Sequence, residues 1–341
     1  MFVGRKLRLK NIQAWLGRQI FWLVIFNSGI AMLYYFGLIK LSLPWLPVSI
    51  IGTAVAFFVG FKNNQAYDRM WEARKIWGGI VNDSRSFSMF VNTYVKSSAE
   101  LPLAEAKIIK QKLIYRHIAW LYAHRIQLLE PTQWEQVSAS GHTGKWAERF
   151  SRNFGLGRID GDVHIEDLKK YLSEEEYNRL PSYKNMSTQL TNNQSEAIAE
   201  LYEKGIINDF QQMQFMEILR TLYELQGRNE RIKKFPFPRD YSSMSLFFVT
   251  IFIVLFPFSL IPELLLISKL AFWVSIPITT LIGMVYIIME QLGDYHENPY
   301  MGTPHAMPML SICRTIEIDL RQMLGETELP PAIKTVDTVL M

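Results

Sequence analysis

The chain has 341 residues, 49% hydrophobic and 20% charged, with a formal net charge of +4 and a mean hydropathy of +0.05. Those averages conceal four windows, 19–39, 41–61, 241–262 and 270–289, that contain no Asp, Glu, Lys or Arg. Every charge is crowded into the remaining residues, which excludes a single soluble domain, and the apolar and aromatic content excludes intrinsic disorder.

Each uncharged window is 20–22 residues long. A helix rises about 1.5 Å per residue and the hydrocarbon core is about 30 Å thick, so each window predicts one membrane span. The first is too long for the apolar core of a signal peptide, and a second apolar window follows it instead of a cleavage site. No breaker interrupts 61–77, so the helix of the second span is expected to leave the membrane and run on. The segment 62–240 is too long for a loop and must fold. Within it, Trp71, Ile76, Trp77 and Ile80 recur at helical spacing between 66 and 94. Residues 104–129 predict a helix whose apolar stripe (Ile108, Leu113, Ile114, Ile118, Leu121, Tyr122) is opposed by Lys107, Lys110, Arg116 and Arg125. Residues 132–161, rich in Ser, Gly and Asn, read as irregular. Short helices are expected over 162–180, with Ser173 as N-cap, and a long helical region over 194–231 with a break at Gly205. No β-alternation or internal repeat is present.

Positive charge flanks the spans unevenly. Arg5, Lys6, Arg8, Lys10 and Arg18 precede the first, and Lys62, Arg69, Arg74 and Lys75 follow the second. Arg231, Lys233, Lys234 and Arg239 precede the third, whereas the opposite loops offer only Lys40 and, between spans three and four, Glu263 with Lys269. Counting positive charge inside puts both termini and the middle segment in the cytoplasm. The organisation read here is a cytosolic segment 1–18, a membrane hairpin 19–61, a cytosolic helical domain 62–240, a second hairpin 241–289 and a cytosolic helical segment 290–341. The fold class is all-α, set in a membrane. The single cysteine, Cys313, reads as a small buried residue.

Enzyme chemistry finds no support. There is no phosphate-binding glycine loop, no nucleophile elbow, no zinc-binding His or Cys pattern, and no cofactor or metal site is expected. The six histidines are scattered. His117 and His124 share a helix face two turns apart, about 10 Å, too far to hold one ion together, and read as structural. The windows hold no charge for proton relay or voltage sensing. The basic N-terminus suits anionic lipid, and no nucleic-acid partner is expected.

One stretch carries more. From Gly60 the chain reads Gly60-Phe61-Lys62-Asn63-Asn64-Gln65-Ala66-Tyr67-Asp68-Arg69-Met70-Trp71-Glu72-Ala73-Arg74, then Trp77-Gly78-Gly79. Phe237-Pro238-Arg239-Asp240-Tyr241 opens the third span, and Glu290-Gln291-Leu292-Gly293 with Glu297-Asn298-Pro299-Tyr300 follows the fourth. These three ordered blocks resemble the prokaryotic members of the bestrophin family over most of 15–324, most weakly between 132 and 194. The resemblance implies a homopentamer around one central pore, with four membrane helices per subunit and a cytosolic helical domain. It implies passive conduction of small monovalent ions through a hydrophobic neck and a lower cytosolic aperture, with no enzyme activity. Its partners would be inorganic ions, membrane lipid and other copies of itself. On family grounds the ion is an anion, chloride. The alternatives are a cation-selective channel of the same fold, or a membrane-anchored signalling or scaffold protein without ion flux.

Anchored at Gly60 and Phe61, the resemblance places the neck at Thr53, Phe57 and Phe61. Their i, i+4, i+8 spacing stacks them on one helix face, and apolar rings gate by dewetting. Spacing alone favours packing of Phe57 and Phe61 against helices or lipid, and it is the resemblance that turns the reading towards a neck. Thr53 departs from the family's aliphatic residue, which suggests a wetter outer end. The aperture falls at Phe210, with Ile207 and Ile206 as alternatives. Asp68, Arg69, Glu72, Asn298 and Pro299 are read as a structural network below the neck, with ion contact as the alternative. Tyr67, Trp71, Trp77, Phe87 and Phe90 are too many large apolar side chains for one solvated face and point to a subunit interface. In calcium-activated relatives an acidic run follows the Asn-Pro-aromatic stretch. Here 301–308 has no carboxylate, and Thr303 and Ala306 stand where the acids would be expected.

Overall fold

A computed structural model describes residues 1, 3–4, 9–97, 101–135, 138 and 142–341. It contains ten α-helices among the described residues: α1 (Leu9–Tyr35), α2 (Trp45–Tyr94), α3 (Leu103–Leu129), α4 (His142–Phe154), α5 (Glu174–Arg179), α6 (Met186–Glu203), α7 (Asp209–Lys234), α8 (Arg239–Ile267), α9 (Lys269–His296) and α10 (Met309–Met323). No β-strand occurs among the described residues beyond one isolated bridge, Val336 with Val339. The chain divides into two compact units. An apolar unit comprises Gly4–Met70 and Pro236–Asn298; a polar unit comprises Met1–Val3, Trp71–Phe235 and Pro299–Met341.

In the apolar unit, α2, α8 and α9 are long and apolar enough to cross a membrane, and residues 19–35 of the first window form the C-terminal part of α1, which ends at Tyr35. α2 is 50 residues long without interruption. At 1.5 Å per residue it measures about 75 Å, well beyond the roughly 40–45 Å of a bilayer with its headgroups. Two apolar clusters hold the unit. Val48, Val55 and Val59 of α2 pack on Val249, Phe252 and Phe256 of α8. Ile30, Ala31 and Tyr34 of α1 pack on Ile261 and Phe272. The expected loop between spans three and four is absent. Glu263 and Lys269 are helical, and Ser268 alone makes the turn, its backbone extended and its hydroxyl accepting from the Ala271 amide at 3.1 Å.

In the polar unit α3 is central, packed by α6, α7 and α10. Its cations were expected on a solvated face; the structure buries two of them. Arg116 is 6% and Arg125 1% exposed, and each keeps a carboxylate, Glu176 at 2.7 Å and Asp162 at 2.7 Å. The C-terminal half of α3, 113–125, is enclosed by its neighbours while the N-terminal half stays largely exposed, so Arg116 and Arg125 are buried with partners, as desolvation demands. The region 132–161 also departs from expectation, because α4 occupies much of it. Trp146, Phe150 and Phe154 recur every four residues there, a helical period masked by the Ser and Gly around it, and Glu148 pairs with Arg152 one turn on at 2.6 Å. Ser173 caps α5 by accepting from the Glu176 amide. The long region expected over 194–231 is two helices, α6 and α7. The turn between them rests on Gly205 at φ +69°, a left-handed conformation that costs glycine little.

Candidate permeation face and its anchors

The orientation of α2 follows from what it buries. Val55 and Val59 face α8, and the Gly52 carbonyl accepts from the Tyr286 hydroxyl at 2.9 Å. Phe58 stacks on Tyr241 with ring centroids 4.7 Å apart and meets Phe248 edge-on. The opposite stripe has no cover among the described residues. Phe57 is 65% and Phe61 57% exposed, whereas Val59 is 0%. Leu46 and Ile50 continue that stripe towards the N-terminus of α2. Thr53 is exposed on it too, with its hydroxyl donating back to the Ser49 carbonyl at 2.9 Å.

The stripe ends at an anchor that sequence reasoning did not foresee. Lys62, counted above only as a topology charge, directly follows Phe61, about 100° further round α2, and is 1% exposed. Its ammonium donates to Glu290 and, at 2.6 Å, to Asp294. Ser245 donates to the other Glu290 oxygen, and Ser242 to Asp294 at 3.3 Å. Gly293 lets α2 come this close. A Cβ there would lie 2.6 Å from Asn63 Oδ1 and 3.1 Å from Lys62 Cε. The Glu290 to Gly293 block thus has a physical meaning: it is the receptacle for Lys62. The only signal for it was a lone Lys directly after an uncharged window, with two acids after another.

Of the remaining candidates in this unit, Asp68 is exposed, and Arg69 donates from Nε to the Glu297 carbonyl at 3.0 Å. Asn298 is half-buried. In the polar unit, Glu72 pairs with Lys75 at 2.7 Å. That hydrogen bond holds its carboxyl below the usual range, helped by the fields of Lys75, Arg231 and Arg228. Pro299 is buried, its carbonyl accepting from the Met307 amide at 2.9 Å. The loop beyond it is packed, with Thr303 5% and Ala306 0% exposed. Among the described residues no group of three His, Cys, Asp or Glu side chains is placed to hold a metal ion.

Aperture candidates separate clearly. Phe210, in the first turn of α7, is 80% exposed, Ile206 is half-buried and Ile207 is buried within its own chain. Asn208 fixes this end of α7 by a reciprocal cap with Gln211. The aromatics expected to mark an interface divide in the same way. Trp77 and Phe87 are buried in the polar unit's own core, which corrects the expectation for them, while Tyr67 and Trp71 remain exposed. Trp77 is buried because it stacks on His124, which Trp120 covers on its other face. Tyr300 donates to Asn229 Oδ1 at 2.6 Å, and the Asn229 amide meets His124 Nε2 at 3.0 Å. Burial pushes His124 down to about 4 and His117 down to about 3. The Ser84 hydroxyl already donates to the Ile80 carbonyl at 2.6 Å, so a neutral His117 donates its Nε2 proton to Ser84 Oγ, 2.9 Å away. Both rings are structural. Burial also pushes the Cys313 thiol up to about 12, which leaves it inert.

Long helices with uncharged windows, an exposed aromatic stripe and a buried charge anchor define the class: an all-helical integral membrane protein. The chain matches the Bacterial/Fungal Bestrophin protein family over residues 8–322 and belongs to it. It is 26% identical over 336 residues to the voltage-dependent anion channel-forming protein YneE of Escherichia coli K12, covering 94% of this chain and 95% of that one. It is 25% identical to the similarly named protein alr2987 of Nostoc, covering 94% and 89%. Its fold is similar to the crystal structure of a bacterial bestrophin homologue from Klebsiella pneumoniae, with a TM-score of 0.71 at 20% identity over 92% of this chain and 100% of that one.

Proposed function

We propose that this protein is a passive anion channel, a homopentamer that conducts chloride through a neck of stacked Thr53, Phe57 and Phe61 rings. In this reading the hairpins 19–61 and 241–289 cross the inner membrane four times in all. Segments 1–18, 62–240 and 290–341, with both termini, are cytoplasmic, and Phe210 narrows the lower pore. The observation that carries the reading is the uncovered aromatic stripe on α2. A spanning helix that locks one face with Val55, Val59 and Phe58 while leaving Phe57 and Phe61 bare has its lining face already chosen. Apolar rings of this kind control conduction by wetting. Anion preference is supported by the anion channel-forming relatives. Asp68, Arg69, Asn298 and Pro299 act as structure around this path rather than as ion ligands, with Arg69 tied to the Glu297 backbone. The test is the reversal potential in planar bilayers under a potassium chloride gradient with only this protein present. A reversal near the chloride equilibrium potential is expected. Reversal near the potassium potential would establish the cation channel instead, and absence of current would leave the scaffold reading.

A further inference from the structure

The apolar unit contains a cleft that the permeation path does not use. It has a volume of about 710 Å³ and opens between α1 and α8, with α9 as its floor. α9 packs along both of those helices, which touch each other less. The volume lies in the range of small-molecule sites, about 300–1,000 Å³. The walls run from Arg18 to Phe26 on α1 and from Leu246 to Val254 on α8. At 1.5 Å per residue each wall is about 12 Å deep, close to the roughly 15 Å of hydrocarbon in one leaflet. The one hydroxyl on the α8 wall, that of Thr250, donates to its own helix at the Leu246 carbonyl, 2.7 Å away. The wall is therefore apolar in effect.

All the charge sits at one end. Arg18, Glu290 and Asp294 line that rim. Arg18 is exposed and, among the described residues, makes no ion pair. Glu290 is turned inward onto Lys62 and Ser245, while the Asp294 side chain, though it also reaches Lys62, stays 29% exposed. Arg18 and Lys62 balance Glu290 and Asp294, so the rim has no net formal charge. An anionic headgroup would bring an unmatched charge beside two carboxylates. A zwitterionic one would satisfy both signs.

We propose that this cleft binds an aminophospholipid, with one acyl chain along the α1 and α8 walls, the phosphate on Arg18 and the primary ammonium on the outward side of Asp294. Placing that lipid in the cytoplasmic leaflet rests on the topology given under the proposed function. The site goes beyond the channel reading: it assigns a resident lipid by headgroup, in a cleft lined by α1, α8 and α9 and not by α2. Phosphate recognition by a guanidinium is charge-assisted, and a basic residue at the interface is a normal headgroup contact.

The test is native mass spectrometry of the delipidated protein in its native assembly, titrated with phosphatidylethanolamine, phosphatidylcholine and phosphatidylglycerol of identical chains. Phosphatidylethanolamine is expected to bind about tenfold more tightly than either of the others, the scale of one lost charge-assisted hydrogen bond. Arg18→Ala should weaken it by about tenfold on the same scale. Val254→Trp, which fills the cleft from an exposed position, should abolish tight binding without dissociating the assembly. Equal or tighter binding of phosphatidylglycerol or phosphatidylcholine would overturn the headgroup assignment. Wild-type affinity in both variants would show that lipid binds elsewhere. Exclusion of all three lipids would mean that a second copy covers the cleft. Ion flux from the same preparation is scored separately, so loss of lipid discrimination with intact flux sinks only this proposal, and lipid binding without flux sinks only the channel.

Discussion

Replacing Lys62 by Met tests whether the buried anchor holds α2 in place. In the wild type one ammonium serves two carboxylates, with Glu290 reached by Ser245 as well. Lys62→Met leaves both acids without their cation in a site where Lys62 is 1% and the Glu290 side chain 3% exposed. Breaking a buried pair by removing one partner costs about 3–5 kcal/mol, because the surviving charge remains desolvated. At a few degrees per kcal/mol, that predicts a fall in Tm of roughly 5–10 °C. Glu290→Gln should cost less, about 1–3 kcal/mol, since Lys62 keeps Asp294 at 2.6 Å and the amide still accepts from Ser245. The double substitution Lys62→Met with Glu290→Met removes both buried charges and leaves Asp294, which reaches solvent, so it should recover much of the single-variant loss. Tryptophan fluorescence of the purified protein on heating in one detergent provides the measurement. The reasoning is refuted if Lys62→Met melts with the wild type, or if the double variant is no more stable than the single one.

Phe57→Ala or Phe61→Ala should raise ion flux with assembly intact, because a ring of phenyl groups is removed from the constriction. Phe58→Ala should instead lower stability and change flux less, since it loses its stack on Tyr241; equal flux effects at 57 and 58 would show that the face is wrongly assigned. Light scattering in mild detergent should give the mass of a pentamer, and Trp71→Ala should weaken assembly where Trp77→Ala unfolds the chain; a monomer or dimer as the sole species would contradict the pore. Stability should fall with acid, because His117 and His124 are pushed below their ordinary 6.5 to about 3 and about 4. The unfolded chain binds those protons first, so the contribution is complete above about pH 6.5 and drains away as pH drops towards 4 and 3. His117→Gln should flatten that slope in unfolding curves taken across the window, and an unchanged slope would refute the assignment. Flux should be the same in chelator and in about 10 micromolar calcium, a concentration at the top of the sensor range; several-fold activation lost on mutating residues 297–306 would reveal a different clasp.

Much of this molecule is a local consequence of its sequence. Uncharged windows about 20 residues long need a non-aqueous medium wherever they sit. The unbroken run from the second window makes α2 a single helix, and Ser173 before three acids makes a cap. The i, i+4, i+8 spacing of Thr53, Phe57 and Phe61 puts them on one face whatever surrounds it. The three blocks around Gly60, Phe237 and Glu290 made the family legible, though not why those residues are needed.

Tertiary structure decided which face is bare, and where each charge ends up. Phe57 and Phe58 are equivalent as letters; only the stack with Tyr241, far along the chain, separates them. Lys62 read as a cytoplasmic charge until Glu290 and Asp294, more than 200 residues away in sequence, enclosed it. Arg116 and Arg125 read as a wet face until α3 was surrounded, and Trp77 and Phe87 read as an interface until their own chain covered them. The physical reason is common to all of these cases. Span length, helix period and capping are properties of neighbouring residues, fixed by backbone geometry and solvent. Desolvation of a charge or a ring depends on what is packed against it, and that is supplied by segments whose distance along the chain carries no periodic signal.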